Sequence, residues 1–294
     1  MANAFTIHLN FKNDFNTMKK ALFALTAFLF AGALLQSCKK DSDTADTSAM
    51  QTTAEDIVSY NDLSEYTDYE IDGLVGDAFA GDEASDRGAC PTVTFAQPKG
   101  TWPNTITLDY SPDGCTKDGN TFKGQIVIEQ SNKMSVTGAV RNVTFNNFYI
   151  NNVKIEGTRT LTNNGPNASG KPVWIKTADE TFIFPDGSTA TFSTERTRTL
   201  IAGADSPTHL DNVWSIEGSA TGTNRKGETF TATITTPLVK RVLCPWIVEG
   251  VVEFAHDGKM RTLDFGDGTC DRDAVLTLND GTTKNIKIRH HWWK

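Results

Sequence analysis

The sequence predicts an all-β fold: an antiparallel meander of about ten to twelve long strands, forming a curved sheet of barrel-like or sandwich form. From residue 90 onward, apolar residues alternate with Thr, Lys, Glu or Arg, as in "TFSTERTRTL" (191–200). This period of two is typical of strands with one buried face. X-Gly pairs separate these stretches, and because tight hairpin turns favour positive φ, the pairs predict turns between antiparallel neighbours. They begin at Asp118, Asp186, Lys226, Asp257 and Asp280.

The region before the strands is divided into three segments. The apolar run "ALFALTAFLFAGALL" (21–35) follows Met18-Lys19-Lys20, which indicates a signal peptide over residues 1–37 with its natural start at Met18. Residues 38–53 are rich in Ser, Thr and Asp and are predicted to be a flexible tether. Residues 54–86 space apolar residues at three to five positions among acidic ones, which predicts a short, partly helical acidic segment. The all-β domain then occupies residues 87–294.

The end of the apolar run indicates a lipid anchor. "LQSC" resembles a bacterial lipobox, in which Cys38 becomes the lipidated first residue of the mature chain. The run of fifteen residues is shorter than the roughly 20 that a membrane-spanning helix needs. We therefore expect attachment to a membrane through lipid, in the cell envelope.

The other four cysteines fall in two similar contexts. The string "CP…LDYSPDGC" begins at Cys90 and ends at Cys115. The similar string "CP…LDFGDGTC" begins at Cys244 and ends at Cys270. An even number of cysteines in an exported chain predicts disulfides, and the duplicated context favours Cys90–Cys115 and Cys244–Cys270. Zinc is the alternative, although structural zinc sites usually contain close C-x₂₋₄-C pairs, which this sequence lacks.

The charge is unevenly distributed along the chain. The net charge is −8, yet residues 41–86 hold 14 acidic residues and no Lys or Arg, while residues 87–294 are nearly balanced. A protein that binds nucleic acid needs a basic stripe or patch, and the sequence contains none. We therefore expect no nucleic-acid partner.

Two groups of residues are candidates for metal binding. "DFGDGTCDRD" supplies Asp264, Asp267, Asp271 and Asp273, and carboxylates are ligands that calcium prefers. The spacing is not that of an EF-hand, and turns alone favour Asp and Gly, so structural turns are the first interpretation and calcium the alternative. His290 and His291 would point to opposite faces of a strand, which is poor geometry for a shared metal. No cofactor is predicted.

Candidates for catalysis are sparse. His209 and Asp211 could form a base with its orienting carboxylate, but a loop histidine without a catalytic role is the ordinary interpretation. A glycosidase needs two carboxylates across a cleft, and the strand glutamates Glu156, Glu195, Glu217 and Glu249 are the candidates. The sequence has no G-x-S-x-G motif. We therefore expect no catalytic activity.

Large aromatic side chains are the remaining candidate for a working surface. They could form a stacking platform for sugar rings or line an apolar cavity, although Trp in a β domain more often belongs to the core. The candidates are Trp102, Trp174, Trp214, Trp246 and Tyr149.

Several longer strings together resemble an uncharacterised family of Bacteroidetes lipoproteins. They include "SCKKD" after the signal, "NNVKIEGTRTLTNNG" and "LDFGDGTCD". The resemblance implies a lipid-anchored envelope protein, often of the outer membrane, and implies no specific activity. We expect a non-catalytic binding or structural module for a glycan, a protein or the cell wall. The alternatives are a carrier or chaperone for an apolar molecule, which a cavity of the curved sheet would enclose with the acidic segment as a lid, and an envelope hydrolase.

Overall fold

The computed structural model describes residues 39–80, 90–111, 113–117, 119–206 and 209–288, with side chains of the first range described only for 48–75. The predicted signal peptide, Cys38, His290 and His291 lie outside these ranges. The chain divides into two compact units, Met1–Ser48 and Ala49–Lys294. Only Lys39–Ser48 of the first unit is described, as the start of a helix, and all side-chain contacts discussed below belong to the second unit.

One long helix, α1 (Lys39–Ala80), replaces the predicted tether and short helices. Residues 39–53, expected to be flexible, are part of it. Its small polar side chains bond to the carbonyl four residues back, as Thr53 does to Ala49 at 3.1 Å and Thr67 to Leu63 at 2.7 Å. Such bonds satisfy hydroxyl groups inside a helix, so a polar sequence can be buried there.

Fourteen strands form a single antiparallel sheet. Each strand pairs with its neighbour in sequence, except that β2 and β3 both pair with β4. Among the described residues, β1 and β14 are the two edges and do not pair with each other, so the sheet is open. The strands are β1 Thr92–Phe95, β2 Asn104–Asp109, β3 Cys115–Lys117, β4 Asn120–Gln130, β5 Val140–Ile150, β6 Val153–Pro166, β7 Pro172–Ile183, β8 Thr189–Ala202, β9 Val213–Thr223, β10 Thr229–Arg241, β11 Ile247–His256, β12 Lys259–Asp267, β13 Asp273–Thr277 and β14 Thr283–Lys287.

The all-β prediction is confirmed, including its turns. The pair Asp257-Gly258 joins β11 to β12 with φ of 49° and 70°, the positive values that a two-residue hairpin requires. The other four predicted pairs also fall between consecutive strands, although Asp118 itself lies outside the described residues. The strand count exceeds the prediction because β1, β3, β13 and β14 have only three to five residues each.

The sheet curves around α1, and the core lies between them. Ile57, Leu63 and Ile71 of the helix belong to the same buried cluster as the inward residues of the strands. Tyr60 stacks on Phe192 of β8 with ring centroids 4.3 Å apart. Almost every described helical side chain from Ala49 to Ile71 is buried, whatever its polarity. The protein therefore forms a single open sheet that curves around a helix, and not a sandwich of two sheets.

Both disulfides form as the duplicated context predicts. Cys90–Cys115 ties the segment just before β1 to the start of β3, and Cys244–Cys270 ties the β10–β11 connection to the β12–β13 connection. The two links therefore fasten the two ends of the meander. Within the described ranges, no helix combines the length and the apolar character needed to cross a membrane.

Candidate functional site

The inner face of the sheet is basic. Side chains alternate between faces along a strand, and on β8 the buried positions include Ala190, Phe192, Arg196, Arg198 and Leu200, which share one face. The same parity places cations of other strands on the inner face. The buried inward cations are Arg141, Arg159, Lys176, Arg196, Arg198, Lys240 and Arg261.

Helix α1 supplies the opposite charge. Between residues 48 and 75 it contains seven acidic residues and no Lys or Arg. They are Glu55, Asp56, Asp62, Glu65, Asp68, Glu70 and Asp72. The acidic segment of the sequence is thus the electrostatic complement of the inner face.

Asp68 is the centre of an ionic cluster. It accepts a hydrogen bond from Lys176 Nζ at 2.7 Å, is paired with Arg159, and has Arg198 Nη1 at 3.4 Å. Burial acts to raise the pKa of its carboxyl, but the three cations outweigh burial and hold that pKa well below its usual range. Asp68 is therefore ionised at any physiological pH.

Two further carboxylates complete the cluster. Glu65 contacts Lys176 at 2.8 Å and Arg198 at 3.1 Å, while Glu180 of β7 accepts from Arg159 at 2.7 Å. Burial opposes ionisation of Glu65, but Arg198 and Lys176 lower its pKa overall. The cluster contains no water-exposed nucleophile. Its ion pairs connect α1 to the strands and so fix the position of the helix.

The part of α1 with described side chains, residues 48–75, is held at two separate places. In its N-terminal half, Asp56 accepts from the Arg225 backbone N–H at 2.8 Å and from Arg225 Nε at 2.5 Å. Near its end, Glu70 pairs with Lys117 at 3.0 Å and Asp72 with Arg141 at 2.6 Å. Polar contacts therefore fix α1 to strands from both halves of the meander.

Trp174 and Trp214 meet at one end of the inner face. Their ring centroids are 5.2 Å apart in an edge-to-face arrangement, and the Arg198 guanidinium lies 4.7 Å from the Trp214 ring centroid. Trp174 Nε1 donates to the Met134 carbonyl at 3.2 Å, which orients that ring. Both rings are half-buried.

A small pocket of about 40 Å³ opens between α1 and the strands beside Trp214. This volume holds a few water molecules or one small polar group, and it is well below the 300–1,000 Å³ that is common for drug-sized ligands. Its polar lining includes Glu65 and Asp72 from the helix together with Arg198, Lys240 and His209. The pocket thus combines an aromatic wall with both signs of charge.

The other aromatic candidates lie elsewhere. Trp246 packs partly buried against the core, Trp102 lies between β1 and β2, and Tyr149 is a half-buried residue of β5. Of the five candidates, only Trp174 and Trp214 have a ring contact with each other among the described residues. The structure therefore assembles two of them, not one continuous row of five.

Three of the aspartate candidates for calcium accept backbone hydrogen bonds within turns. Asp264 accepts from the Gly266 N–H, Asp267 from the Thr269 N–H, and Asp271 from the Asp273 N–H. In the described part of the chain, no group of three or more His, Cys, Asp or Glu converges as a metal site. The structural-turn interpretation accounts for these bonds.

The catalytic candidates are dispersed. His209 lines the small pocket, whereas Asp211 lines a different surface depression, and no hydrogen bond joins them. Glu156 pairs with Lys154 at 2.6 Å, and Glu195 and Glu217 are exposed at outward positions of β8 and β9. The register makes Glu195 and Glu217 diagonal neighbours on the exposed outer face of β8 and β9, where neither has a hydrogen-bonded acid–base partner among these candidates.

The cations of the inner face were missed by the sequence interpretation, although a signal was present. In "TATFSTERTRTLIA", Arg196 and Arg198 share the parity of Phe192 and Leu200, not that of the exposed residues. Charged residues at buried parity predict buried partners, and the same chain contains an acidic segment without Lys or Arg before the strands.

Comparison of the chain with protein-family models, curated proteins and solved structures finds no match.

Proposed function

We propose that this chain is a lipid-anchored, non-catalytic binding module of the cell envelope that binds a glycan at the Trp174–Trp214 end of its inner face. Cys38 provides the anchor, and the outer membrane is the proposed location. The observation that carries the proposal is the contact of two half-buried Trp rings, at 5.2 Å, beside a pocket lined by charged groups.

The chemistry of this site suits a sugar. Amphipathic Trp rings stack against the C–H face of a pyranose, and charged side chains at the rim bond its hydroxyl groups. Lys240, His209 and Asp72 supply donors and acceptors around the pocket. Because the pocket is only about 40 Å³, a sugar would lie on the rim with a single hydroxyl or hydroxymethyl group inserted.

The alternatives fit the geometry less well. A carrier for an apolar molecule needs space on the inner face, which α1 fills with both apolar and acidic side chains. A hydrolase needs a convergent acid and base, and His209 and Asp211 are not joined.

The test is a glycan array and a hydrolase substrate panel, probed with the mature chain from residue 38. We expect binding without turnover. His209→Ala, which changes an exposed loop residue, and Trp214→Phe should each weaken binding about ten-fold, since one good contact corresponds to roughly 1.4 kcal/mol.

Trp102→Phe is the matched control, because it changes a Trp of the β1–β2 connection that is not part of the Trp174–Trp214 pair, and it should leave binding unchanged. Turnover that His209→Ala abolishes would overturn the non-catalytic proposal. If all three variants bound the glycan as tightly as the wild type, the binding site would not be at the Trp174–Trp214 pair.

A further inference from the structure

Arg196 is a buried cation that forms no ion pair with a described residue. The Glu65 carboxylate acts on it only through space and is paired directly with Lys176 and Arg198. Its side chain is on the inner face of β8 and the residue is only 6% exposed. No hydrogen bond or ion pair to another described residue reaches its guanidinium, and its Nε is buried without a partner. The nearest aromatic contact, the Tyr60 ring, has its centroid 6.0 Å from the guanidinium carbon.

The neighbouring cations differ from Arg196 in this respect. Arg159, Lys176 and Arg198 each pair with carboxylates of the cluster. These three cations share three carboxylates, Glu65, Asp68 and Glu180. Adding Arg196 therefore leaves the cluster with one excess positive charge.

The strand register concentrates this excess. Arg196 lies opposite the cation Lys176 on β7 and opposite Gly218 on β9, which has no side chain to offer an acceptor. Arg198, two residues along the same face and about 7 Å away, also has a buried Nε without a partner. Two unsatisfied guanidinium donors thus occupy one buried stretch of β8.

A buried, unpaired charge is strongly unfavourable unless an ion or a hydrogen-bond acceptor compensates it. Burial lowers the pKa of Arg196, yet an arginine remains protonated under ordinary conditions. The described residues supply no such acceptor to Arg196 Nε, so an ion from solution is the compensating group that we consider.

We propose that Arg196 and Arg198 form a buried binding site for one weakly hydrated monovalent anion, a large halide such as chloride or bromide or a carboxylate, on the inner face of the sheet beside α1. The excess of a single charge sets the valence. The bound anion would accept hydrogen bonds from the unsatisfied Nε–H groups of Arg196 and Arg198. It would thereby neutralise the excess charge of the ionic cluster that holds α1.

The test is thermal unfolding of the mature chain in sodium fluoride, chloride, acetate and sulfate at one ionic strength. We expect chloride or acetate to raise the unfolding midpoint in a saturable way, above the effect of fluoride and sulfate. A response to acetate alone identifies a carboxylate ligand, and a response to chloride identifies a halide. An identical response to all four salts indicates screening and overturns the proposal.

Two variants make the test specific. Arg196→Gln should lose the anion-dependent shift while its midpoint in fluoride stays at or above that of the wild type. Lys154→Gln removes an outward cation of β6 that pairs with Glu156, and should keep the full shift. An unchanged shift in Arg196→Gln would refute the site.

A second measurement does not depend on the folding of a variant. Crystals of the wild-type chain grown in sodium bromide should show an anomalous peak within contact distance of the Arg196 guanidinium if the site takes halides. The corresponding crystals in acetate should show a planar carboxylate there if it takes carboxylates. Absence of both would contradict the proposal.

Discussion

Asp68 illustrates how single buried charges determine the stability of this fold. It contacts Arg159, Lys176 and Arg198, and its own exposure is only 6%. A buried ion pair adds little over a well-packed apolar pair, but removal of one partner leaves the other charge buried without compensation. The cost of losing Asp68 therefore comes from the three cations that remain.

Replacement of Asp68 by Asn tests this reasoning. We expect Asp68→Asn to lower the free energy of unfolding by about 3–5 kcal/mol at pH 7, as measured by urea denaturation. Glu129→Gln, at an exposed position of β4, is the control and should change stability by less than about 0.5 kcal/mol. Equal effects of the two substitutions would show that the cluster contributes nothing.

Asp56 has the opposite electrostatic behaviour. Burial raises its pKa from 3.8 to about 6, although Arg225 partly offsets this effect. A carboxyl whose pKa is higher in the folded state than in the unfolded state stabilises the fold below pH 4, and this contribution is lost as pH rises through 6.

Asp56→Asn removes this titration. The stability of the Asn variant relative to the wild type should increase between pH 4 and pH 7, by up to about 3 kcal/mol. Denaturation curves of both proteins at several pH values measure the difference, in which all other titrating groups cancel. A difference that is constant with pH would contradict the raised pKa.

At the scale of elements, the sequence predicted the strands better than the helix. Strand alternation and turn pairs depend on neighbours in the chain, so β4 to β12 could be recognised locally. The acidic segment could not be assigned to a 42-residue helix whose described side chains, residues 48–75, are mostly buried, because its stabilising partners, such as Arg159 and Lys176, are about a hundred residues away. The Trp174–Trp214 pair was likewise set by strand order, which periodicity alone does not specify.

The two disulfides act on elements, since each closes a loop around the end strands of the meander. The cysteines are separated by 25 and 26 residues, and closing such loops restricts the unfolded chain. The double substitution Cys244→Ser/Cys270→Ser should therefore cost about 3–4 kcal/mol of unfolding free energy, measured by denaturant titration. The Cys90→Ser/Cys115→Ser variant should lose a similar amount. A loss in only one of them would show that the duplicated links are not equivalent.

For the whole molecule, the proposed anchor and the proposed binding surface belong to different parts of the chain. The Trp pair lies on the sheet, while the proposed lipid attachment is at Cys38, outside the described residues. Composition and the lipobox predicted the second feature without any fold, whereas the first required the order of fourteen strands.

Cys38→Ser should shift the protein from the membrane fraction to the soluble fraction, because the proposed acyl chains would be lost. Fractionation of cells that express either form, followed by immunoblotting, measures the shift. The unfolding midpoint of the soluble domain should be unchanged, which separates loss of anchoring from loss of folding. Continued membrane retention would argue against lipidation.

Placement of the acidic helix before the strands has a consequence for biosynthesis. Because α1 precedes every strand, its carboxylates leave the ribosome, and under the proposed export also cross the membrane, before each inward cation, from Arg141 on β5 to Arg261 on β12. Each hairpin can then pair its inward cations with the carboxylates of α1 as soon as it forms. The basic face of the sheet is therefore not exposed to solvent without a counter-charge. The reverse gene order, with α1 at the C-terminus, would expose that face throughout synthesis and should yield far more aggregated chain.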